Sequence, residues 1–533
     1  MTRYTATTDA DLSTMLQTIG VGSVQELFDR QIPEPVRLRR ALDLPPGMTE
    51  QDVYEHLREL AARNTSAEDE ISFLGAGMYD HYVPALIDSL LERSEFLTPY
   101  TPYQPEVSQG GLQVMFEYQT AICELTGLPV ANASVYEGAS AVASAAYLAK
   151  LHNGRRRIVA SAGLHPHTLQ TLRTYVHGFG GEVLEVPLRD GRTDLDAWTA
   201  AIDGESSAAI FAQPNFYGAV EDAHALSAAA KGADAKRADA KEADAKGADA
   251  DATGTAGGEV RDGGDGVFDS GRAVRARDAR ARAGAHTPPI VIAQVDPIVL
   301  GVLAAPGECG VDVAVGEGQP LGNRLDYGGP SFGFFAARDE YLRRMPGRIA
   351  GETRDRDGRR GFVLTLQTRE QHIRREKATS NICTAQALNA LAGVVYLAWL
   401  GRRGLVELGE LLLARTHYAR HTLAALPGVQ PLHGQPVVRE FALRLGGNDQ
   451  GGPDRGGAEE GAIDVAAVRR RCTARGINPG VDLHALTGRE ADRGGLLVAL
   501  TERRTRADID RLAEVLGEAV AAEGERRRQA VAV

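Results

Sequence analysis

Lysine is scarce in this 533-residue sequence, since only six of its 59 basic residues are lysines. They are Lys150, Lys231, Lys236, Lys241, Lys246 and Lys377. Four of the six belong to a short repeat, which leaves Lys150 and Lys377 for chemistry that needs a lysine amine, such as Schiff-base formation. Lys150 ends a predicted helix just before Asn153 and Gly154, where a cation complements the helix dipole, so we expect a structural role for it.

Cysteine and long apolar runs are scarce as well. The four cysteines lie far apart, with no CxxC pair and no Cys/His cluster at zinc spacing, so we expect reduced thiols and no metal site. No run approaches the roughly 18–20 apolar residues of a membrane span. The first residues lack the basic and apolar regions of an export signal, which favours a cytoplasmic protein. The net charge of −12 argues against a nucleic-acid partner, whose phosphates require clustered Lys and Arg.

Two common nucleotide-binding patterns are missing. GxG occurs at residues 75–77 and 316–318, but neither continues as GxGxxG between a strand and a helix, and GxxxxGK[ST] does not occur. A glycine-led helix begins at Tyr136–Ser140 instead. Its free backbone N–H groups and its hydroxyl suit a docked anion, and a well-capped helix without a ligand is the alternative.

The most unusual segment is an insertion at residues 231–287. It begins with four copies of a KxADA unit and continues rich in glycine and arginine, with 11 basic and 11 acidic residues. Because it has few large apolar side chains, it cannot bury enough surface to offset the entropy of ordering. We therefore predict a disordered or fraying helical insertion. A second, shorter loop is predicted at 446–461.

Strand and helix signals alternate through the rest of the chain. Strands are predicted at 157–160 and 182–186, a buried strand at 208–212, and short strand-like apolar runs occur at 290–295 and 311–315. Helical spacing occurs at 112–126, 139–151 and near 166–176, and Asp194 opens a further helix. The alternation predicts an α/β fold with a large, mostly parallel sheet that is covered on both faces.

Three parts follow from this pattern. We predict an N-terminal helical segment at residues 1–70 and a large α/β domain at 71–404, which the insertion 231–287 interrupts. The mixed helix and strand signals from 405 to 533 predict a smaller α+β domain.

A basic segment is the first candidate for chemistry. Lys377 lies in the stretch 365–381 close to Arg369 and His372, with two further arginines. Neighbouring positive charge favours the neutral, nucleophilic form of a lysine amine. The alternative is a solvated charged face or an interface.

An aromatic stretch is the second candidate. Tyr100, Tyr103 and Gln104 alternate with prolines that keep the backbone extended. Such stretches line binding sites or reach into partners, and a purely structural arm is the alternative.

Several polar residues follow predicted strands. His165, Asn215 and Asp296 each come shortly after a strand-like run. Since ligands of open α/β sheets bind at the carboxyl ends of the strands, these residues could converge on one crevice.

Long segments of the sequence resemble the N-terminal half of the glycine cleavage system P-protein. The segments are FLGAGMYDHYVPALID (73–88), SEFLTPYTPYQPEVSQGGLQ (94–113), YEGASA (136–141), QPNFYGAVED (213–222), VGEGQPLG (315–322), GFFAARDEYLRRMPGRIAGETRD (333–355) and GFVLTLQTREQHIRREKATSNICTAQALNAL (361–391). The likeness spans about residues 70–222 and 288–400, with a weaker likeness through 499–510. The insertion 231–287 is not expected in relatives and falls between a helix and the next strand.

The resemblance implies a type I fold of pyridoxal-phosphate (PLP) enzymes. In such folds a lysine after a late strand forms a Schiff base with PLP, and an upstream aspartate pairs with the pyridinium. Asp296 resembles that aspartate, and Gln319, which has no amine, stands where the lysine is expected. The other positions of this vestigial cofactor pocket are Gly138, Ser140, His165 and Asn215. The resemblance thus implies that PLP is bound by a partner subunit.

The implied protein is subunit 1 of a two-chain glycine dehydrogenase (decarboxylating), with two copies of each subunit. Its reaction decarboxylates glycine and passes the aminomethyl group to the lipoyl arm of the H-protein. The residues expected to approach the partner's site are Tyr100, Tyr103, Gln104, Arg369, His372 and Lys377. One alternative is a self-contained PLP enzyme that uses Lys377, which requires Lys377 beside Asp296 and His165. The other is a scaffolding subunit that adds no side chain to any site.

Overall fold

The computed structural model describes residues 6–38, 40, 42–232, 288–329, 331–382, 385–446 and 463–531. The chain divides into two compact units, residues 1–65 and residues 66–533. Almost all of the insertion (233–287) and of the loop 446–461 lies outside the described residues, so the predictions for both are untested.

The first unit is helical. Its helices are α1 (Asp9–Ile19), α2 (Val24–Gln31) and α3 (Glu50–Ala61). Capping boxes at Thr8 and Thr49 fix the starts of α1 and α3, because each hydroxyl accepts a backbone N–H that the helix leaves free. No residue of the three helices is buried.

The second unit carries the sheets. Its first half contains β1 (Ile71–Ser72), α4 (Ala85–Leu91), α5 (Ser94–Leu97), α6 (Gln109–Thr126), β2 (Val130–Ala131), α7 (Gly138–Asn153), β3 (Arg157–Ser161), α8 (Pro166–Gly178), β4 (Glu182–Val186), β5 (Leu188–Arg189), β6 (Arg192–Thr193), α9 (Leu195–Ala201), β7 (Ser206–Gln213) and the described part of α10 (223–232). Its second half contains β8 (Ile290–Val295), β9 (Val313–Glu317), β10 (Gly333–Ala337), β11 (Ala350–Arg354), β12 (Arg360–Leu364), α11 (Gln371–Arg374), α12 (Ala387–Ala424), β13 (Val429–Pro431), β14 (Glu440–Leu445), α13 (Val465–Thr473), β15 (Ile477–Asn478), β16 (Val481–Asp482), α14 (Leu483–Thr487), β17 (Gly495–Ala499) and α15 (Arg506–Val531).

The main sheet has seven strands in the order β2-β10-β9-β8-β7-β3-β4. The five strands from β9 to β4 are parallel, and β10 and β2 are antiparallel to their neighbours. The predicted mostly parallel sheet is therefore confirmed. Because the strands are parallel, the carboxyl ends of β3, β7, β8 and β9 meet along one edge of the sheet.

Both faces of the central strands β7 and β8 are buried, as their nearly continuous small and apolar side chains predict. Ala208 and Ile210 of β7 point to the face that packs under α7 and α8, whereas Ala209 and Phe211 point to the opposite face. The small side chains of α7 allow its first residue, Gly138, to come so close to β9 that an added Cβ would lie 2.9 Å from the backbone nitrogen of Glu317.

A four-stranded antiparallel sheet, β13-β14-β17-β16, has its own hydrophobic core with α13 and α15. It meets the main sheet at the turn after β7, where Ala219 pairs with Val437 just before β14. This junction brings the start of β14 to the carboxyl edge of the main sheet. The predicted domain boundary at 404–405 falls within α12, shortly after a non-helical residue at Gly401, and stays a prediction.

No helix among the described residues is both long enough and apolar enough to cross a bilayer.

Candidate functional site

A small cavity lies at the carboxyl ends of the parallel strands. It has a volume of about 90 Å³. Its walls come from the loops after β3, β7, β8 and β9, from the segment that contains Gly77 and Tyr79, and from the start of β14. The predicted convergence of His165, Asn215 and Asp296 on one crevice is confirmed, since all three line this cavity.

Asp296 forms a buried ion pair with Arg439. Oδ2 of Asp296 contacts Nη2 of Arg439, whose side chain is 3% exposed, and Oδ1 accepts the backbone N–H of Ile298 at 3.0 Å. The guanidinium carbon of Arg439 lies 3.4 Å from the centre of the Tyr79 ring, so the cation also stacks on an aromatic face. The carboxylate of Asp296 thus already has a cationic partner from its own chain.

Glu440, the next residue along the chain, is the first residue of β14 and is also buried. Its Oε1 accepts the backbone N–H of Ala76 at 2.7 Å, and its Oε2 accepts the hydroxyl of Tyr79 at 2.9 Å. Burial raises the pKa of Glu440 to about 7, although these two hydrogen bonds and Arg439 oppose the shift. Glu440 therefore titrates near neutral pH.

The N-terminus of α7 is occupied by carboxylates. Glu137 caps the helix by accepting the backbone N–H of Ser140 at 2.8 Å, and it also contacts the Ser140 hydroxyl. Oε2 of Glu317 accepts the backbone N–H of Gly138 at 3.0 Å, and burial raises the pKa of Glu317. The free N–H groups that an anion would use are thus paired with two acidic side chains of the chain itself.

Gln319 is a buried amide with every polar atom bonded. Its Oε1 accepts the backbone N–H of Tyr79 at 2.9 Å, and its Nε2 donates to the carbonyls of Tyr79 at 3.0 Å and Asn323 at 2.9 Å. It therefore fastens the segment around Tyr79 to the loop after β9.

His165 and Asn215 serve the local backbone. Nδ1 of His165 accepts the N–H of His167 at 3.0 Å and caps α8, and burial lowers the pKa of His165 to about 4, so the ring is neutral at pH 7. The amide of Asn215 donates to the carbonyl of Gly191 at 2.7 Å and to Glu221 at 2.8 Å, and its oxygen accepts two N–H groups of the turn after β7.

The remaining candidates lie in two other segments. Tyr100, Tyr103 and Gln104 are exposed on the stretch between α5 and α6, and His372 and Lys377 are exposed on the segment after β12. The side chain of Arg369 lies outside the part of the chain that the structure describes. Tyr103 is linked to the second segment through Arg348, which binds both its hydroxyl and the carboxylate of Glu370.

Neither lysine outside the repeat belongs to the cavity. Lys377 is not among its lining residues, and no lining residue is a lysine. Lys150 lies at the C-terminal end of α7, 5.2 Å above the Tyr147 ring, whereas the cavity is at the other end of the sheet near Glu317. The position that a self-contained enzyme using Lys377 requires, beside Asp296 and His165, therefore finds no support in this geometry.

Comparison with known proteins identifies the family. The family model described as glycine cleavage system P-protein matches residues 2–241 and 271–435. The chain is 42% identical over 515 residues to a probable glycine dehydrogenase (decarboxylating) subunit 1 from Carboxydothermus hydrogenoformans, which covers 97% of this chain and 99% of that protein. This chain belongs to the glycine cleavage system P-protein family.

Solved structures agree with the P-protein assignment. A crystal structure of glycine decarboxylase (P-protein) of the glycine cleavage system, in inhibitor-bound form, superposes with a TM-score of 0.76 at 38% identity and covers 97% of this chain and 100% of that chain. The sphingosine-1-phosphate lyase of Burkholderia pseudomallei shares the fold alone, with a TM-score of 0.57 at 16% identity over 95% of this chain and 97% of that chain. The predicted type I fold of PLP enzymes is confirmed.

PLP does not fit the cavity of this P-protein chain. A cavity of about 90 Å³ is well below the roughly 300 Å³ or more of pockets that enclose cofactors. Asp296 is paired with Arg439 rather than free for a pyridinium, and Glu137 and Glu317 would repel a phosphate at the start of α7. The assignment of the six vestigial positions to a former cofactor pocket stays a prediction.

Sequence reasoning missed Arg439, Glu440 and Arg348. A signal for the first two existed, because the charged pair interrupts the apolar run VVREFALRL at 437–445 and so predicts a buried pair. Arg348 carries no comparable local signal, since its partners lie in two other segments.

Proposed function

We propose that this chain is subunit 1 of a two-subunit glycine dehydrogenase (decarboxylating), and that its reaction takes place at a PLP site on the partner subunit. The near-full-length similarity to a protein of that name carries the first part. The second part is supported by the chain's own cavity, where Arg439, Glu317 and Gln319 occupy the places that a cofactor would need.

The contribution of this chain is then a surface that faces the partner's site. Tyr100 is 76% exposed and Tyr103 is 47% exposed, on a stretch whose prolines keep the backbone extended. Exposed tyrosines and arginines are typical of residues that become buried in interfaces. We propose that these tyrosines, with Gln104, His372 and Lys377, complete the wall of the glycine site across the interface.

The remaining partners follow from the same proposal. The aminomethyl group passes to the lipoyl arm of the H-protein, and two copies of each subunit assemble. A cytoplasmic location is supported by the free thiols of the described cysteines.

The test is an absorption spectrum of the purified chain with added PLP, before and after borohydride. We expect no reducible adduct on the chain alone, and an adduct on the partner when the partner is added. The variant Gln319→Lys restores an amine but leaves Arg439 and Glu317 in place, so we expect no adduct on it either. Lys377→Arg and Lys150→Arg are the controls for non-specific reaction of exposed amines.

The contrary result is a stable adduct on the unmodified chain. Mapping of the reduced peptide to Lys377 would then favour the self-contained enzyme. An adduct only on Gln319→Lys would mean that the missing amine, not the filled cavity, excludes the cofactor. A third outcome concerns the function itself: no glycine decarboxylation by the assembled pair with lipoylated H-protein would refute it.

A further inference from the structure

Arg348 is a buried arginine outside the cavity. It lies just before β11 and is 2% exposed. Its backbone carbonyl accepts the N–H of Ala133 at 2.8 Å, which fastens the residue beside the end of β2. Because burying a guanidinium away from water is costly, the residue must be held by strong partners.

Those partners come from two segments that are far apart in sequence. Nη2 donates to the hydroxyl of Tyr103 at 2.7 Å, and the guanidinium carbon lies 5.1 Å from the centre of the same ring. Nη1 contacts the carboxylate of Glu370. One side chain thus supports both the aromatic stretch (residues 99–105) and residues 370–377 of the basic segment 365–381.

The side chain of Glu370 binds Arg348 rather than capping its own helix, α11. Glu370 is the N-cap residue of α11, where a carboxylate would ordinarily accept a free backbone N–H of the helix. Its side chain makes no capping hydrogen bond and reaches Arg348 instead. Arg348 therefore holds the side chain of the residue at which α11 starts.

The planar fork of arginine suits this task. Two separate N–H groups of one rigid group hold the phenol and the carboxylate at a fixed spacing, which the single ammonium of lysine cannot reproduce. Tyr103 remains half exposed while its hydroxyl is bound, so its ring is oriented toward solvent-accessible space rather than packed away.

We propose that Arg348 is a positioning residue that holds the aromatic stretch and the basic segment as one preorganised surface toward the partner's glycine site. This inference rests on the proposed function. It assigns to Arg348 no contact with substrate, and its effect passes through Tyr103 and Glu370.

The test uses the assembled two-subunit enzyme with Arg348→Lys, Arg348→Met and Tyr103→Phe. Hydrogen exchange is measured on residues 99–105 and 370–377, together with kcat, the KM for glycine and the affinity for the partner. We expect both Arg348 variants to raise exchange in both segments and to lower kcat about 10- to 100-fold, since small misplacements of positioning groups have effects of that size. Affinity for the partner stays within about threefold, and Lys retains more activity than Met.

Arg354→Met is the matched control. Arg354 lies at the end of β11, is exposed, and its Nη1 donates to the nearby carbonyl of Gly358 at 2.8 Å. We expect it to leave exchange in both segments and kcat unchanged. Tyr103→Phe removes the hydroxyl without disturbing the buried arginine, so it tests the link even if the Arg348 variants fold poorly.

Two results would overturn the proposal. One is unchanged exchange in both segments of the folded Arg348 variants. The other is raised exchange with an unchanged kcat per assembled enzyme, which would make Arg348 a structural residue only. Because exchange needs no turnover, an inactive wild-type pair counts against the proposed function, and exchange still decides whether Arg348 orders both segments.

Discussion

At the scale of single residues, the charge inside the cavity depends on how Asp296, Arg439 and Glu440 are paired. Arg439 neutralises Asp296, while Glu440 next to it is bound by neutral donors from Ala76 and Tyr79. Burial raises the pKa of Glu440 to about 7 although both donors oppose the shift, so Glu440 loses its charge near neutral pH.

The raised pKa of Glu440 makes stability depend on pH. The pKa is about 7 in the folded chain against 4.5 for an ordinary glutamate, so between these values only the folded state holds the proton. The free energy of unfolding should therefore fall as pH rises from about 4.5 to 7, by up to about 3 kcal/mol at 1.36 kcal/mol per pKa unit. We expect Glu440→Gln to remove this slope, as measured by thermal unfolding at several pH values.

Glu514→Gln is the control, because Glu514 is exposed and a hydrogen bond from Arg511 lowers its pKa. It should leave the slope between pH 5 and 7 in place. If Glu440→Gln and the wild type keep a constant difference across this range, Glu440 is already ionised in the folded chain at pH 5 and the predicted linkage is wrong.

Position in the sequence could predict some of these residues and not others. Asp296, His165 and Asn215 follow strands, and parallel strands bring such residues together whatever the rest of the chain does. Arg439 reaches Asp296 from another sheet more than a hundred positions away, and no periodicity specifies that pairing. The sequence therefore could not predict that Arg439 occupies the cavity beside Asp296. It did show that residue 319 is a glutamine and not a lysine.

At the scale of elements, apolar runs located the central strands well. The run at 290–295 agrees with β8 at both ends, because a strand buried in the middle of a parallel sheet is almost entirely apolar. The strand signal at 182–186 agrees with β4 as well, although this edge strand is only partly buried and contains two glutamates. The run at 311–315 predicts a strand that begins two residues before β9, because Val311 is buried although it lies outside the strand, which begins at Val313. Periodicity reports burial, and hydrogen bonding decides where a strand begins.

The turn after β7 shows a contact that only glycine allows. Gly218 has a φ of +83°, and an added Cβ would lie 1.9 Å from the carbonyl oxygen of Glu440. We expect Gly218→Ala to lower the free energy of unfolding by about 3 kcal/mol or more, from left-handed backbone strain together with the clash. Thermal unfolding, with hydrogen exchange of β14, measures the effect.

Gly154→Ala separates the two causes. Gly154 caps α7 with a φ of +78°, but an added Cβ there meets nothing within 4 Å, so only the strain of about 1 kcal/mol applies. Equal losses in the two variants would show that the approach of β14 to this turn is not close in solution.

At the scale of the whole molecule, the occupied cavity and the exposed segments support the same proposal, in which the partner subunit holds PLP and this chain contributes a surface. The carboxyl edge of the main sheet is closed by Arg439, Glu440 and Gln319, which join the two sheets and the segment before α4. The exposed tyrosines and the basic segment lie outside that cavity. An active role for this chain is then expressed in the assembly rather than in the chain alone.

The insertion provides the last prediction, because it should be dispensable to that assembly. It connects α10 to β8, and Lys231 near its start pairs with the buried Asp312 at 2.7 Å. We therefore expect deletion of 233–287, closed by a short Gly/Ser linker, to shift the melting temperature by no more than about 2 °C, since loop length has a weak effect on stability. Partner binding and glycine decarboxylation should be unchanged.

Deletion of 231–287 is the comparison, because it also removes Lys231. It should lower the free energy of unfolding by at most about 1 kcal/mol, the usual range for a partly exposed ion pair. Loss of partner binding in the shorter deletion would instead make residues 233–287 part of the subunit interface.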